Sequence, residues 1–291
     1  MSKVKLLWLS GITCNGNAHS FLQYPHLKQF FCDFEFLYHP VIDSQYSLEE
    51  ITACTLECDI LLLEGALSES FKRADSKLTD LLWHYAKKAK AVVCLGTCAS
   101  FGGIFAQSDA KVQGLHFNKD QELVSFEAFK EKSFNLSGCP VHAKTIADTL
   151  YAIKENYQIK KDSLLRPKAF YAYTVHNGCT RNEYFEYKID THDFGKLEGC
   201  MFYDHGCQAP FTHAPCNKTL WNEVNSKTRV GMPCVGCTEP SFPRLNLFQT
   251  KKNMGIQQDL PVGVAKRTYL TLAGVSKAFT IERLQKGLMD D

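Results

Sequence analysis

The sequence predicts an α/β fold with a mainly parallel, doubly wound sheet, followed by an irregular cysteine-rich domain. Short apolar runs alternate with helical patterns over residues 1–165, an arrangement typical of parallel sheets. Six of the thirteen cysteines then lie within residues 176–237, which contain many prolines and glycines and no long periodic apolar run. We therefore predict two domains, 1–165 and 166–291.

Four strands are predicted from short, mostly apolar segments at residues 4–9, 60–63, 91–95 and, more weakly, 134–136. Helices are predicted at three places: 47–58 with Ser47 as N-cap, 69–90 with Ser68 as N-cap, and 144–157 with Ile146, Leu150, Ile153 and Tyr157 on one face.

Composition indicates a soluble globular protein without nucleic-acid or membrane partners. Thirty-three basic and thirty-one acidic residues give a net charge of +2, so no anionic partner is favoured. No apolar run is long enough to span a membrane. Residues 4–9 are too short for the apolar core of a signal peptide, so we predict a cytoplasmic location.

Three cysteines follow predicted strands directly: Cys14, Cys98 and Cys139. The carboxyl ends of parallel strands meet at one edge of a sheet, where ligands bind. Nearby glycines let the backbone approach a bulky group, and helix N-termini favour a negatively charged thiolate cluster. Each cysteine alone would be interpreted as a small core residue beside a turn, but the three together predict a site.

The cysteine-rich segment carries residue types that bind zinc or iron–sulfur clusters. Its candidate ligands are His176, Cys179, Cys200, Cys207, Cys216, Cys234 and Cys237. Disulfides are the alternative, but they persist in oxidising compartments and we predict no export signal. Metal binding is therefore the better interpretation.

These motifs, in this order, resemble the small subunit of nickel–iron hydrogenases over nearly the whole chain. The matching segments are residues 8–14, 64–65, 96–103, 138–140, 176–179, 206–210, 216–222 and 233–240. The resemblance implies a flavodoxin-like domain with a proximal cluster, an irregular domain with medial and distal clusters, and a partner large subunit that holds the nickel–iron centre. It implies no catalytic residue in this chain.

The resemblance also assigns the ligands. The proximal ligands are Cys14, Cys98 and Cys139; the medial ligands, for a 3Fe–4S cluster, are Cys216, Cys234 and Cys237; the distal ligands, for a 4Fe–4S cluster, are His176, Cys179, Cys200 and Cys207. The distal pattern departs from the commoner one by having six rather than five residues between its last two cysteines.

Asn17 stands where the family usually has a fourth proximal cysteine. Its neutral amide oxygen is a poor match for iron in a sulfide cluster. Three alternatives remain: the oxygen of Asn17 contacts the cluster, another ligand substitutes in an unusual 4Fe–4S cluster, or the site holds a 3Fe–4S cluster.

The predicted function is electron transfer from dihydrogen oxidation, in a complex with the large subunit. An uptake hydrogenase would pass electrons to an acceptor protein or a quinone-linked partner, and a higher oligomer of heterodimers is possible. A hydrogen sensor is the alternative, and a zinc-stabilised binding module is a remote one. Glu64 could line the subunit interface or a proton path, but a hydrogen-bonding loop carboxylate is the better interpretation. Tyr184, Phe185 and Tyr187 are interpreted as residues that pack over the distal site or in the core.

Overall fold

The computed structural model describes residues 3–53, 55–243 and 271. The chain divides into two compact units. The first comprises Met1–Ala172 with Cys237–Pro243, and the described part of the second is Tyr173–Gly236 with Thr271. The predicted domain boundary after residue 165 stays a prediction, and most of the chain beyond residue 243 lies outside the described residues.

A five-stranded parallel sheet forms the first unit. Its strands are β1 (Val4–Ser10), β2 (Phe34–Tyr38), β3 (Ile60–Glu64), β4 (Ala91–Leu95) and β5 (Ser133–Leu136). The order is β2-β1-β3-β4-β5, which is the flavodoxin-like doubly wound order. The predicted fold class and all four predicted strands are confirmed, whereas β2 was missed because Glu35 interrupts its short apolar run.

Helices flank this sheet and occur as short pieces in the second unit. They are α1 (Gly16–Leu22), α2 (Leu27–Asp33), α3 (Leu48–Thr52), α4 (Leu78–Lys88), α5 (Gly96–Phe101), α6 (Phe105–Ser108), α7 (Ala143–Lys154), α8 (Lys168–Tyr171), α9 (Asn182–Glu186) and α10 (Phe202–His205), with 3₁₀ turns at Glu127–Lys132, Val175–Gly178 and Ala209–Phe211. No helix among the described residues is long and apolar enough to cross a membrane.

Both faces of the sheet are buried, which explains why the central strands β3 and β4 are nearly continuous apolar runs. Successive side chains point to opposite faces. Leu61 and Leu63 pack in the core layer of α4, whereas Leu62 packs in the layer of α7. The first unit therefore has an extensive core of its own.

The predicted helix 69–90 is wrong in its first half. Lys72–Arg73 and Ser76–Lys77 form a small hairpin, and the helix begins at Leu78. Ala74 turns the chain with a positive φ of 48°. The Arg73 guanidinium donates to the carbonyls of Ser10 and Gly11, at 2.7 and 3.1 Å, which holds the hairpin against the end of β1.

The other two predicted helices are shorter than expected. In α3 the Ser47 N-cap is confirmed by a capping box with Glu50, but the helix ends at Thr52, and Cys54 lies outside the described residues. In α7 the prediction that Tyr157 shares the apolar face is wrong. It is 72% exposed, because the helix ends at Lys154 and Asn156 has a positive φ of 55°.

The second unit has little regular structure and a small apolar cluster. The longest helix in its described part has five residues. Its buried cluster consists of Val175, Met201, Cys207, Ala209 and Ala214, with Cys216 and Cys234 packed against it. Two predicted cluster sites thus contribute cysteines to the core of this unit.

Candidate functional site

The three predicted proximal cysteines lie at the carboxyl edge of the sheet. Cys14 follows β1, Cys98 lies in the first turn of the helix after β4, and Cys139 follows β5. Cys14 and Cys139 are exposed, and Cys98 is partly buried. Burial, with a smaller contribution from Cys14, raises the pKa of Cys98 to about 11.

Glycines keep the space beside these thiols clear. A Cβ at Gly103 would lie 2.7 Å from the Cys98 sulfur, and the φ of Gly103 is +53°. A Cβ at Gly16 would lie 3.3 Å from the Cys14 sulfur. The edge of the sheet therefore fits a group that several thiolates bind together.

Asn17 is turned into the protein and its amide is fully engaged. Its side-chain oxygen accepts the N–H of Val141 at 2.9 Å. Its NH₂ group lies 3.3 Å from both the Glu64 carboxylate and the carbonyl of Leu95, and donates to them. The side chain is 8% exposed. The structure thus places Asn17 as a link between the ends of β3 and β4 and the segment after Cys139.

Glu64 is a fully buried carboxylate at the end of β3. It accepts hydrogen bonds from the Trp8 indole at 3.1 Å, the Thr13 hydroxyl at 3.2 Å and the backbone N–H of Asn17 at 2.9 Å. The prediction that it is a hydrogen-bonding carboxylate is confirmed. Its negative charge also raises the pKa of Cys98.

All four predicted distal ligands line one pocket in the second unit. The pocket is bounded by His176, Cys179, Cys200 and Cys207, together with Arg181 and Phe185. The rings of His176 and Phe185 meet edge to face, with centroids 4.6 Å apart, so Phe185 does pack beside this site. Ligands from four separate positions in the sequence thus face one space.

Arg181 gives this pocket a buried positive charge. Its side chain donates to four backbone carbonyls, those of Lys196, Glu198, Gly199 and Thr228, and among the described residues it forms no ion pair with a carboxylate. Burial lowers the pKa of Arg181, while the Cys179 and Cys200 thiolates act to raise it. A buried cation without an anionic partner is strongly unfavourable. The pocket therefore fits a negatively charged group.

The protonation states of the distal ligands suit metal binding. Burial lowers the pKa of His176, which favours the neutral imidazole that binds metals. Burial raises the pKa of both Cys200 and Cys207 to about 12. These thiols lose their protons when a metal binds, because the metal supplies the positive charge that burial withholds.

The three predicted medial cysteines are divided between the units. Cys216 and Cys234 pack in the second unit, and Cys237 is grouped with the first. The backbone N–H of Cys234 donates to the Cys207 sulfur at 3.2 Å, and the carbonyl of Cys237 accepts the Thr97 hydroxyl. Cys234 thus contacts a predicted distal ligand, and Cys237 contacts the residue next to a predicted proximal ligand, Cys98.

No three His, Cys, Asp or Glu side chains among the described residues are spaced to share one metal ion. An iron–sulfur cluster holds its thiolates farther apart, because sulfide-bridged irons lie between them.

Arg181 and Thr97 were not predicted from the sequence. Their only signal was position, two residues after Cys179 and one before Cys98.

Two different family models match the two halves of the chain. The C-terminal model of the NiFe/NiFeSe hydrogenase small subunit matches residues 171–249. The model of the NADH ubiquinone oxidoreductase 20 Kd subunit matches residues 14–153. The periplasmic [NiFe] hydrogenase small subunit of Solidesulfovibrio fructosivorans is 34% identical over 160 residues, 54% of this chain and 48% of that protein. The match therefore spans about half of each chain.

Longer matches cover most of the protein. The uptake hydrogenase small subunit of Azotobacter vinelandii is 27% identical over 97% of this chain and 84% of its own length. The solved [NiFeSe]-hydrogenase of Desulfomicrobium baculatum contains a chain with a TM-score of 0.69 and 25% identity, covering 84% of this chain and 97% of that one. The chain belongs to the family of nickel–iron hydrogenase small subunits, the electron-transfer subunits that act as a hydrogenase together with a large subunit.

Proposed function

We propose that this chain carries electrons released by dihydrogen oxidation in a large subunit through three iron–sulfur clusters to an acceptor. The observation that carries the proposal is the distal pocket, where three thiols and an imidazole line one space together with a buried arginine that has no carboxylate partner among the described residues. When bound there, clusters supply reversible one-electron storage. Family membership supports the same role.

At the proximal site, Cys14, Cys98 and Cys139 supply three thiolates. Asn17 acts as a hydrogen-bonding link, because its amide already joins Glu64, Leu95 and Val141. This supports a 3Fe–4S cluster, or a 4Fe–4S cluster whose fourth iron has a ligand other than cysteine.

For the other sites we propose a medial 3Fe–4S cluster held by Cys216, Cys234 and Cys237, and a distal 4Fe–4S cluster. His176 replaces one thiolate of the distal site with a neutral ligand, which removes a negative charge and raises the reduction potential. Arg181 acts in the same direction. Such potentials favour hydrogen oxidation, the uptake direction. We further propose that the complex works in the cytoplasm, that its acceptor is a protein or a quinone-linked partner, and that its heterodimers can assemble further.

The test is anaerobic purification with the large subunit, followed by iron and acid-labile sulfide analysis and hydrogen-driven dye reduction. The proposal predicts iron and sulfide for three clusters and rapid turnover. Stoichiometric zinc without sulfide would contradict it, and very slow turnover with full clusters would favour the sensor function instead. Cys14→Ser should lose the proximal cluster, whereas Cys32→Ser, at an exposed cysteine outside all three sites, should match the wild type.

A further inference from the structure

Thr97 forms three hydrogen bonds between segments that carry predicted ligands of two different sites. It precedes Cys98 and is 1% exposed. Its backbone N–H donates to the carbonyl of Gly138 at 2.9 Å, and its hydroxyl oxygen accepts the N–H of Gly138 at 3.0 Å. The hydroxyl proton is donated to the carbonyl of Cys237. The Thr97 hydroxyl therefore acts as a donor and as an acceptor at the same time.

These bonds connect the proximal and medial ligand segments. Gly138 directly precedes Cys139, so Thr97 fixes the first turn of α5, which carries Cys98, to the Cys139 segment at the carboxyl edge of the sheet. Cys237 is a predicted medial ligand, and its carbonyl is fixed to the same hydroxyl. A single buried side chain thus holds the segments of two predicted proximal ligands and one predicted medial ligand in fixed positions.

We propose that Thr97 is a positioning residue that holds the predicted medial ligand Cys237 against the segments of the proximal ligands Cys98 and Cys139, and that this sets the rate at which electrons pass from the proximal to the medial site. The inference rests on the proposed function. In this step one electron leaves the proximal site, which is oxidised, and enters the medial site, which is reduced. Thr97 itself gains and loses no atom, since it acts by holding the ligand loops.

In the second unit, another hydrogen bond also joins predicted ligands of two different sites. The N–H of Cys234, another predicted medial ligand, donates to the sulfur of Cys207, a predicted distal ligand, at 3.2 Å. Gln208 then donates its N–H to the carbonyl of Cys234 at 2.8 Å. Two predicted medial ligands thus have hydrogen bonds to residues of other sites. Cys237 accepts from the side chain of Thr97, and Cys234 donates its backbone N–H to Cys207.

The segment that carries Cys237 has a second attachment, so the role of Thr97 can be tested without detaching it. Arg166 lies 3.2 Å from the Glu239 carboxylate and is itself fixed by Asp162 at 2.8 Å. Thr97→Val keeps the size of the side chain and removes only the hydroxyl. Thr97→Ser keeps the hydroxyl and removes only the methyl group.

The experiment compares the purified hydrogenase complex containing wild type, Thr97→Val, Thr97→Ser or Thr149→Val. Thr149 is a matched control, because it is a buried threonine whose hydroxyl donates to Thr145 within α7, away from the cysteines. Iron content, the magnetic splitting between the paramagnetic proximal and medial sites, and the rate of medial reduction after rapid mixing with hydrogen are measured. Amide exchange at Gly138 reports the hydrogen bond directly.

We expect Thr97→Val to weaken the splitting, to expose the Gly138 N–H to exchange, and to slow medial reduction by roughly tenfold or more, as small misplacements do. Thr97→Ser and Thr149→Val should match the wild type. Loss of proximal and medial iron in Thr97→Val alone would also support the proposal, because the hydroxyl then holds the ligand loops themselves.

Two results would overturn it: a fully loaded Thr97→Val complex with wild-type splitting and rate, or a Thr97→Ser complex as slow as Thr97→Val. Both leave the proposed function intact. A wild-type complex without iron–sulfur clusters would instead contradict the proposed function itself.

Discussion

The two units of this protein hold cysteines in opposite ways. In the first, Cys14 and Cys139 are exposed at the edge of a sheet whose core is built from other residues. In the second, Cys200 and Cys207 are 7% and 5% exposed, and Cys207 belongs to the small apolar cluster itself. The first unit presents its ligands, whereas the second is built around them.

The difference indicates which unit needs its metal to fold. Strands and helices of the first unit bury large apolar side chains such as Trp8 and Phe21, so its core does not depend on a cluster. The described part of the second unit has few buried apolar residues, and its buried Arg181 is paired with no carboxylate there. Small domains of this kind gain their stability from metal coordination. We therefore expect the second unit to depend on its clusters far more than the first.

Removal of the clusters should have the largest effect. We expect anaerobic chelation to abolish protection from amide exchange in residues 173–236 while β1, β3 and β4 stay protected, because only the first unit has an extensive apolar core. Exchange measured by mass spectrometry, with and without reconstitution by iron and sulfide, checks this. Equal loss of protection in both units would break the comparison.

Substitution of a single ligand should destabilise the second unit more than the first, by a smaller amount than removal of all clusters. Cys207→Ser places a hydroxyl in the apolar cluster and removes a distal ligand, so we expect it to destabilise the second unit by about 3 kcal/mol or more. Cys14→Ser changes an exposed residue and should lose the proximal cluster without unfolding the sheet. Thermal unfolding of the anaerobic complexes separates the two, and a similar loss of stability in both variants would argue against the contrast.

Replacing Arg181 tests the charge in the distal pocket. Arg181→Met removes the positive charge and leaves four backbone carbonyls without their donor, so we expect a lower distal reduction potential and a stability loss of roughly 2–4 kcal/mol. Arg181→Lys keeps the charge and should keep most of the potential. Redox titration followed by electron paramagnetic resonance (EPR) measures it. An unchanged potential in Arg181→Met would show that the charge does not act on the site.

Asn17→Cys tests the proximal site of the first unit. A fourth thiolate should convert a proximal 3Fe–4S cluster, paramagnetic when oxidised, to a 4Fe–4S cluster that is silent when oxidised. The Val141 N–H loses its acceptor, so we also expect about 1–3 kcal/mol of destabilisation. If the oxidised spectrum is unchanged while the iron content is full, the proximal site of the wild type already holds four irons.

An effect that appears only at acid pH concerns the stability of the first unit. Burial lowers the pKa of His39 to about 4, and its Nδ1 accepts the N–H of Val41 at 3.2 Å. As pH falls from 6.5 to 4 the unfolded chain takes up a proton that the folded unit does not, so up to about 3 kcal/mol of stability is lost. His39→Asn should remove this pH dependence. His19→Asn, at an exposed histidine, should leave it unchanged. Denaturant unfolding between pH 7 and 4 measures both.

The sequence predicted the parts of the fold that local pattern controls. Short, mostly apolar segments identified β1, β3, β4 and, more weakly, β5, because both sheet faces are buried. The pattern around Phe71 imitated a helix, but Ala74 adopts a positive φ and Arg73 bonds to the end of β1, neither of which is encoded in periodicity. The resemblance to hydrogenase small subunits assigned the distal ligands, and the structure brings them to one pocket. The roles of Arg181 and Thr97 arise from contacts between distant segments, which no local pattern reveals.

The central claim is that this chain carries clusters that receive electrons from dihydrogen. EPR of the anaerobic complex with its large subunit, before and after equilibration with hydrogen, tests it most directly. We predict oxidised 3Fe–4S signals that disappear under hydrogen and reduced 4Fe–4S signals that replace them, with both changes reversed by an oxidised dye. Spectra without iron–sulfur signals, or with signals that do not respond to hydrogen, would contradict it.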